Sequence, residues 1–351
     1  MNAPIAEHIA ARIAPGSASD SAQDSAPTDS APTHLELVLR QVRMEATGIN
    51  SYEFVDPEGH ELPAFTAGAH IDVHIAPGVV RQYSLCNSPE ERHRYVVAVL
   101  RDEAGRGGSR GMHEALRVPH RVRVSVPRNH FPLADDAKKI ILLAGGIGVT
   151  PLKAMVHSLE AKWIAYALHY CAKGPQYAAF EAELRHIARI GQIHCHFDGG
   201  NPKNGLNIAK LLKHSEPDTH IYYCGPAGFM QACADATAHW PQALVHCEHF
   251  KAPVKAPSPD GEASTQGYRV ELVRSGRTLT VTPGQNLAEA LQEAGTPLET
   301  SCSSGLCGTC KVRHLGGEID HQDFILDEGE RESFMTPCVS RGCGGTLVLD
   351  L

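Results

Sequence analysis

The chain has 351 residues, 42% of them hydrophobic, a formal net charge of −8 and eleven cysteines. This length accommodates two or three domains with ordinary cores, no apolar run reaches the ~18 residues of a membrane-spanning helix, and the acidic balance argues against nucleic acid as a partner. The chain starts with neither a basic leader nor a continuous apolar stretch, so a reducing, cytoplasmic setting is expected, where clustered cysteines serve metal or redox chemistry more than disulfides.

Residues 1–32 are rich in Ala, Ser, Asp and Pro. They are expected to be a disordered tail, because they bury too little apolar surface to offset the entropy of ordering; a weak transit peptide is the alternative. From 33 to 136, short alternating runs (HLELVLRQVRME, HIDVHI, RYVVAVL, RVRVSV) are punctuated by Gly and Pro, which predicts an antiparallel β-barrel or sandwich. From 137 to 250 the character changes. Apolar strands (KKIILLAGG, WIAYALHYCA, QIHCHFD, HIYYCGP) alternate with helix-like stretches, among them YAAFEAELRHIARIG, NIAKLLKHS and AGFMQACADATAHW. Such alternation predicts an open α/β domain with a parallel sheet. Residues 251–266 (KAPVKAPSPDGEASTQ) read as a linker. The last segment, 267–351, opens with strands YRVELVR and RTLTVTP and a helix, NLAEALQEAG. It holds 12 acidic and 7 basic side chains, so the acidic surplus outside the tail lies there.

That last segment contains CSSGLCGTC, with Cys302, Cys307 and Cys310 spaced C-x4-C-x2-C, and Cys338 follows in MTPCVS. This is the plant-type [2Fe–2S] spacing. Two irons need four soft, deprotonated sulfur ligands; Gly305 and Gly308 let the backbone bend around the cluster, and its amides can point at sulfur. Two alternatives stay open. A structural zinc site is one, although only Cys307 and Cys310 form the C-x2-C knuckle that zinc sites use in pairs. Cys343 as fourth ligand in place of Cys338 is the other; otherwise Cys343 is expected to be a core thiol.

The middle segment carries AGGIGVTP (144–151) between a strand and a helix. Gly146 and Gly148 fit the first two glycines of a dinucleotide-binding turn, which permit close approach of a diphosphate to a helix N-terminus; Thr150 is expected to cap that helix and Pro151 to suit its first turn. A second strand–glycine–helix junction, YYCGPAGFM, places Cys224 at a strand's carboxyl end, where open α/β sheets bind ligands. In the first segment, RQYSLCNSP offers Arg81 for a phosphate, Tyr83 for stacking beside a planar ring and Ser84 for hydrogen bonding to a ring nitrogen. The glycine-rich basic loop GRGGSRGMH (105–113) is a phosphate cradle by composition. Each stretch alone is compatible with an ordinary turn or surface strand.

Together these motifs resemble the ferredoxin–NADP reductase superfamily. The order of flavin barrel, nucleotide domain and C-terminal plant-type ferredoxin is similar to the phthalate dioxygenase reductase and vanillate O-demethylase reductase family. The resemblance covers about residues 34–351. It implies an FMN-binding β-barrel at 33–136, an NAD(P)-binding α/β domain at 137–250 and a β-grasp ferredoxin domain at 267–351. It implies that Arg81, Tyr83, Ser84 and the turn Gly107, Gly108 and Ser109 hold FMN, with Arg81 near the phosphate. Gly145, Gly146, Gly148, Thr150 and Pro151, with Cys224, Gly225 and Pro226, would face the nicotinamide side, the cysteine near the ring. Phe250, in an E-x-F pattern after Glu248, would cover the flavin. Ser84, Cys224 and Phe250 would thus adjoin the reacting atoms.

In HYCAKGP, Lys173 and Gly174 stand where relatives often have Arg followed by a small or acidic residue, and an acidic residue would favour the free ribose hydroxyls of NADH. A cation there can accept a 2′-phosphate, so NADH, the family's habit, and NADPH both stay open. The implied activity is that of an NAD(P)H-dependent iron–sulfur flavoprotein oxidoreductase: a hydride passes from NAD(P)H to FMN, and single electrons pass through [2Fe–2S] to a Rieske-type oxygenase component. A cytochrome or diiron protein is the alternative acceptor. The many histidines would be ordinary residues, and the protein a monomer off the membrane whose acidic ferredoxin segment docks a more basic oxygenase face.

Overall fold

The computed structural model describes residues 33–105, 107–251 and 267–351. The expected tail over 1–32, and the expected linker over 251–266 beyond its first residue, lie outside the described residues.

The alternating first segment forms one six-stranded antiparallel sheet. Its strands are β1 (His34–Ala46), β2 (Ile49–Val55), β3 (His70–Ala76), β4 (Val79–Ser84), β5 (Tyr95–Leu100) and, after helix α1 (Gly108–Ala115), β6 (Arg121–Ser125), in the order β4-β3-β6-β1-β2-β5. Period-2 side-chain alternation sends Ile71 and Val73 of β3 into a core with Leu37, Tyr52, Phe54, Val97 and Val124. His70, Asp72 and Ser84 point the other way, and the register sets His70 opposite Ser84. Helix α1 takes in Gly108 to His113, so two thirds of the expected glycine loop is helix.

The middle segment alternates β7 (Lys139–Gly145), α2 (Val149–Lys162), β8 (Ala165–Ala172), α3 (Glu181–Ile187), β9 (Gln192–Phe197), α4 (Ile208–Leu211), β10 (Thr219–Cys224), α5 (Ala227–Thr237) and β11 (Val245–Glu248). The sheet is parallel throughout, in the order β11-β10-β7-β8-β9. Its central strands read as continuous apolar runs because both faces are covered: α2 and α3 pack on one side, α4 and α5 on the other. The order reverses between β7 and β10, which makes their carboxyl ends the crevice where such sheets bind ligands. Helix α4 is a single turn, shorter than expected. Asn207 caps its start, the Leu212 carbonyl at its end accepts the Trp240 indole at 2.9 Å, and polar residues with Pro217 follow.

The last segment comprises β12 (Tyr268–Leu272), β13 (Arg277–Val281), α6 (Leu287–Glu293), β14 (Val312–Gly316), β15 (Ile319–Asp320), α7 (Glu328–Arg331), β16 (Phe334–Met335), β17 (Arg341–Gly342) and β18 (Thr346–Leu349). Its mixed sheet runs β13-β12-β18-β14-β16, with β12 and β18 parallel, and α6 contributes Leu287 and Leu291 to the core below it. No helix among the described residues is long and apolar enough to cross a membrane.

Asn286 joins this fold to the cysteines. Its Oδ1 accepts from Ala288 and Glu289 at the start of α6, while its Nδ2 donates to the Cys338 carbonyl at 2.6 Å. Asn286→Ala should lose a cap worth about 1 kcal/mol and release the Cys338 segment; Asn286→Asp should keep the cap and lose only the second bond. Thermal unfolding of both variants, with cluster absorbance followed in parallel, checks this ranking.

Candidate redox-cofactor site

The flavin-type motifs, far apart in sequence, meet at the end of β4. Gly108 lies directly against Arg81: a Cβ at Gly108 would stand 2.4 Å from Arg81 Nε. The guanidinium is therefore laid across the first turn of α1, whose leading N–H groups have no intrahelical acceptor. Gly107 supplies the left-handed N-cap, with φ 80°. The Ser109 Oγ accepts from the Asp102 amide at 3.0 Å and closes the loop. A cation beside the amides of a helix start has the charge and the donors that suit an anion. Tyr83 packs on the barrel core, and burial pushes its phenol up. Ser84, 5% exposed, donates to Glu248 Oε2 at 3.2 Å.

That last bond links the barrel to the nucleotide-type sheet. Glu248 ends β11, in register with Cys224 at the end of β10. The carboxyl sits deep among protein atoms yet keeps part of its surface, as the wall of a cleft does. Burial pushes its pKa up to about 7, with the Ser84 hydroxyl pulling weakly the other way. Burial also holds the Cys224 thiol well above its ordinary range, so it is a neutral neighbour and not a thiolate. Phe250, two residues past Glu248, is 40% exposed at the same strand end.

Across the switch point the two glycine turns interlock. A Cβ at Gly148 would stand 2.1 Å from the Cys224 carbonyl oxygen, and one at Gly225 would stand 2.6 Å from Phe229 and 3.0 Å from Gly145 Cα. Glycine is required here by close backbone approach. The turn Gly146–Gly148 is a 3-10 turn, and α2 begins at Val149. Thr150 therefore does not cap the helix: it lies inside the first turn, where its hydroxyl donates to the Ile147 carbonyl at 3.1 Å, with Pro151 next. Pro226 caps α5 without a side-chain bond. Lys173 is exposed just beyond β8, and its carbonyl accepts from Gly199 at 3.0 Å, which brings Asp198 to the same rim.

The four cysteines converge. Cys307, Cys310 and Cys338 are 2%, 2% and 4% exposed and Cys302 is half-buried. The thiols associate in sequence: Cys307 with Cys302, Cys302 with Cys338, Cys338 with Cys310. The neighbouring Cys302 thiol and burial raise the Cys307 pKa steeply. Four such sulfurs cannot all ionise together without cations between them. Among the described residues no three His, Cys, Asp or Glu side chains surround a single ion position. Four thiols in one group are the donor set that a [2Fe–2S] cluster takes. Gly305 and Gly308 take φ 68° and 69° to turn the loop, and the Leu306 amide lies 3.3 Å from Cys302 Sγ. Cys343 stands apart, half-buried beside Glu318, Asp320 and Arg341. It is not a member of this group, and it is only half-buried where a core thiol was expected, just past the buried Gly342 that ends β17.

An antiparallel barrel, a parallel α/β sheet with a ligand crevice and a four-thiol mixed-sheet segment define a modular electron-transferring oxidoreductase. Residues 270–343 match the family described as 2Fe-2S iron-sulfur cluster binding domain. The reductase subunit of tert-butanol monooxygenase / tert-amyl alcohol desaturase from Aquincola tertiaricarbonis is 52% identical over 325 residues, covering 91% of this chain and 96% of that one. Vanillate O-demethylase oxidoreductase from a Pseudomonas species is 40% identical, covering 90% and 100%. The solved structure of phthalate dioxygenase reductase, described as modular for electron transfer from pyridine nucleotides to [2Fe-2S], superposes with a TM-score of 0.68 at 38% identity over 91% of this chain and 98% of that one. The chain belongs to the phthalate dioxygenase reductase and vanillate O-demethylase reductase family.

Glu248 is the residue that sequence reasoning placed in a pattern without a role. Nothing in E-x-F announces a carboxyl with a pKa near neutrality; only the cleft between β11 and Ser84 produces it. Because its folded-state pKa is raised, the native state holds the proton more tightly than the unfolded chain, and stability falls as pH rises from about 4.5 to about 7. Glu248→Gln should therefore gain stability relative to wild type at pH 8 and gain little near pH 5, measured as thermal midpoints across that range. Gly148→Ala should lose nucleotide binding with an intact cluster spectrum, since its methyl must displace the Cys224 carbonyl.

Proposed function

We propose that this protein is the NAD(P)H-dependent, FMN-containing iron–sulfur reductase component of a two-component Rieske-type oxygenase. The observation that carries the reading is the convergence of Arg81 with Gly108, of Ser84 with Glu248 and Cys224, and of four buried thiols, all in one chain. The segments 33–136, 137–250 and 267–351 are its FMN, nucleotide and ferredoxin domains. When bound, NAD(P)H, FMN and the [2Fe–2S] cluster supply the conversion of a hydride's electron pair into single electrons. The chain's own residues provide placement. Arg81 and the amides of Gly107, Gly108 and Ser109 hold the FMN phosphate, Tyr83 lies along the ring system, and Ser84 directs a hydroxyl at a ring nitrogen. Gly145, Gly146, Gly148, Thr150 and Pro151 admit the diphosphate beside the start of α2. Cys224, Gly225 and Pro226 line the nicotinamide end, and Phe250 covers the ring until nucleotide arrives. Cys302, Cys307, Cys310 and Cys338 hold the cluster.

NADH is the favoured donor. Lys173 points to solvent, whereas Asp198 stands half-buried at the same rim, and a carboxylate suits free ribose hydroxyls and opposes a 2′-phosphate. The protein works as a cytoplasmic monomer, and its acidic last segment meets a basic face on the oxygenase.

Purified protein should release FMN and contain about two irons per chain. Cys307→Ser should abolish NADH-driven cytochrome c reduction while the flavin is still reduced by NADH; unchanged cytochrome reduction without a cluster would sink the order of carriers. Arg81→Ala removes a charge-assisted hydrogen bond worth about 1.5–3 kcal/mol, so FMN should bind roughly 10–100-fold more weakly, read by flavin fluorescence on dilution. Association with the oxygenase should weaken with added salt.

A further inference from the structure

The barrel and the cysteine loop meet at a side-chain chain that none of the motifs contains. Arg128 lies just beyond β6, and its backbone pairs with His70 in both directions, at 2.9 and 3.0 Å. His70 is in register with Ser84. Arg128 Nη2 donates to Asp72 Oδ2 at 2.6 Å and to Thr309 Oγ1 at 3.2 Å, spanning 181 positions of sequence. Thr309 Oγ1 in turn lies 3.2 Å from Cys307 Sγ. The Asp72 side chain is 6% exposed, so its charge is costly without a partner, and Arg128 supplies one. His130 stacks on His70 with centroids 5.5 Å apart and stands against Gly308, where a Cβ would be 3.6 Å from its Nε2. On the far side of the loop, Phe324 meets His249, beside Glu248, at 6.2 Å. The cysteine loop is thus held from two sides at the end of the barrel where Ser84 sits.

We propose that Arg128, through Asp72 and Thr309, is a positioning residue for the internal electron-transfer step, seating the cysteine loop against the barrel and orienting the hydrogen bond to Cys307. This rests on the reading that FMN occupies the barrel and [2Fe–2S] the four cysteines. The chemistry of the chain follows from its donors. Arg128 has only N–H groups to give, so it must donate to Thr309 Oγ1. A cysteine that ligates iron carries no proton, so the Thr309 hydroxyl hydrogen is then free to point at Cys307 sulfur. Hydrogen bonds to ligand sulfur raise a cluster's potential. Arg128 therefore acts twice, on the distance between the carriers and on the sulfur that receives charge. Both bonds leave one nitrogen, Nη2; a lysine ammonium keeps the charge and the number of donors but not the reach and planar placement of the guanidinium.

The test compares Arg128→Ala, Arg128→Lys and Thr309→Val in the full-length protein loaded with FMN and cluster. Ferricyanide reduction by NADH, which needs only the flavin, should stay within about twofold of wild type. Cytochrome c reduction should fall at least tenfold in Arg128→Ala, less in Arg128→Lys. The midpoint potential of the cluster, titrated by electron paramagnetic resonance without NADH, should shift negative in Thr309→Val and Arg128→Ala. Amide exchange across 302–310 should quicken in Arg128→Ala. Unchanged potential and cytochrome rate in both Thr309→Val and Arg128→Ala would overturn the proposal. Should Arg128→Ala fail to fold, Thr309→Val decides alone, since it lies outside the barrel. Wild-type protein lacking FMN or the cluster signal would instead overturn the underlying reading.

Discussion

A buried ammonium holds the arrangement in register. Lys153, on α2, is 4% exposed, donates to the Cys86 carbonyl at 2.9 Å and pairs with Glu183 at 2.8 Å. A charge this deep is tolerated only where its partners are fixed, so the residue pins the segment that follows Ser84 to the helix that starts at the glycine turn. The Tyr222 hydroxyl adds a second tie, accepting from the Ala134 amide at 2.7 Å. With these two ends clamped, the Ser84–Glu248 contact and the crevice at Cys224 are consequences of rigid strands and not of loop conformation.

The division of labour among the segments follows from what each architecture can do. The antiparallel sheet can leave one side of β3 and β4 polar, which is where His70, Asp72 and Ser84 sit. The parallel sheet, covered on both faces, offers polar backbone only at strand ends, and those ends meet the barrel. The mixed sheet of the last segment presents a loop of positive-φ glycines that buries thiols without burying the loop itself. A carrier of single electrons belongs near the surface, and Cys302, half-buried, is the thiol nearest to solvent.

Several orphaned polar groups mark the same junction. Both His70 ring nitrogens, Asp72 Oδ1, Gln82 Nε2 and Arg128 Nε are buried without a hydrogen-bond partner. Buried polar atoms are normally paired, and these five lie on or beside the strands where barrel and cysteine loop meet. Burial lowers the pKa of His70 well below its ordinary value, so its ring is neutral there and can accept as well as donate.

The sequence by itself determined the three segment types, because hydrophobic period, glycine turns and cysteine spacing are local properties set by backbone geometry. It also put Cys302, Cys307 and Cys310 in one loop, since C-x4-C-x2-C is a distance constraint written along the chain, while Cys338 and Cys343 both stayed open as the fourth ligand. It overreached where capping depended on a two-residue shift, from Thr150 to Gly148, and where a loop turned out to be mostly helix, from Gly108 on. Only the tertiary structure decided which of these pieces touch. The approach of Gly108 to Arg81 joins residues 27 positions apart, Ser84 with Glu248 164, and the Asp72–Arg128–Thr309 chain 56 and 181. Such contacts leave no periodic trace in the chain, because they are set by how rigid elements pack and by which polar groups must find partners once water is gone.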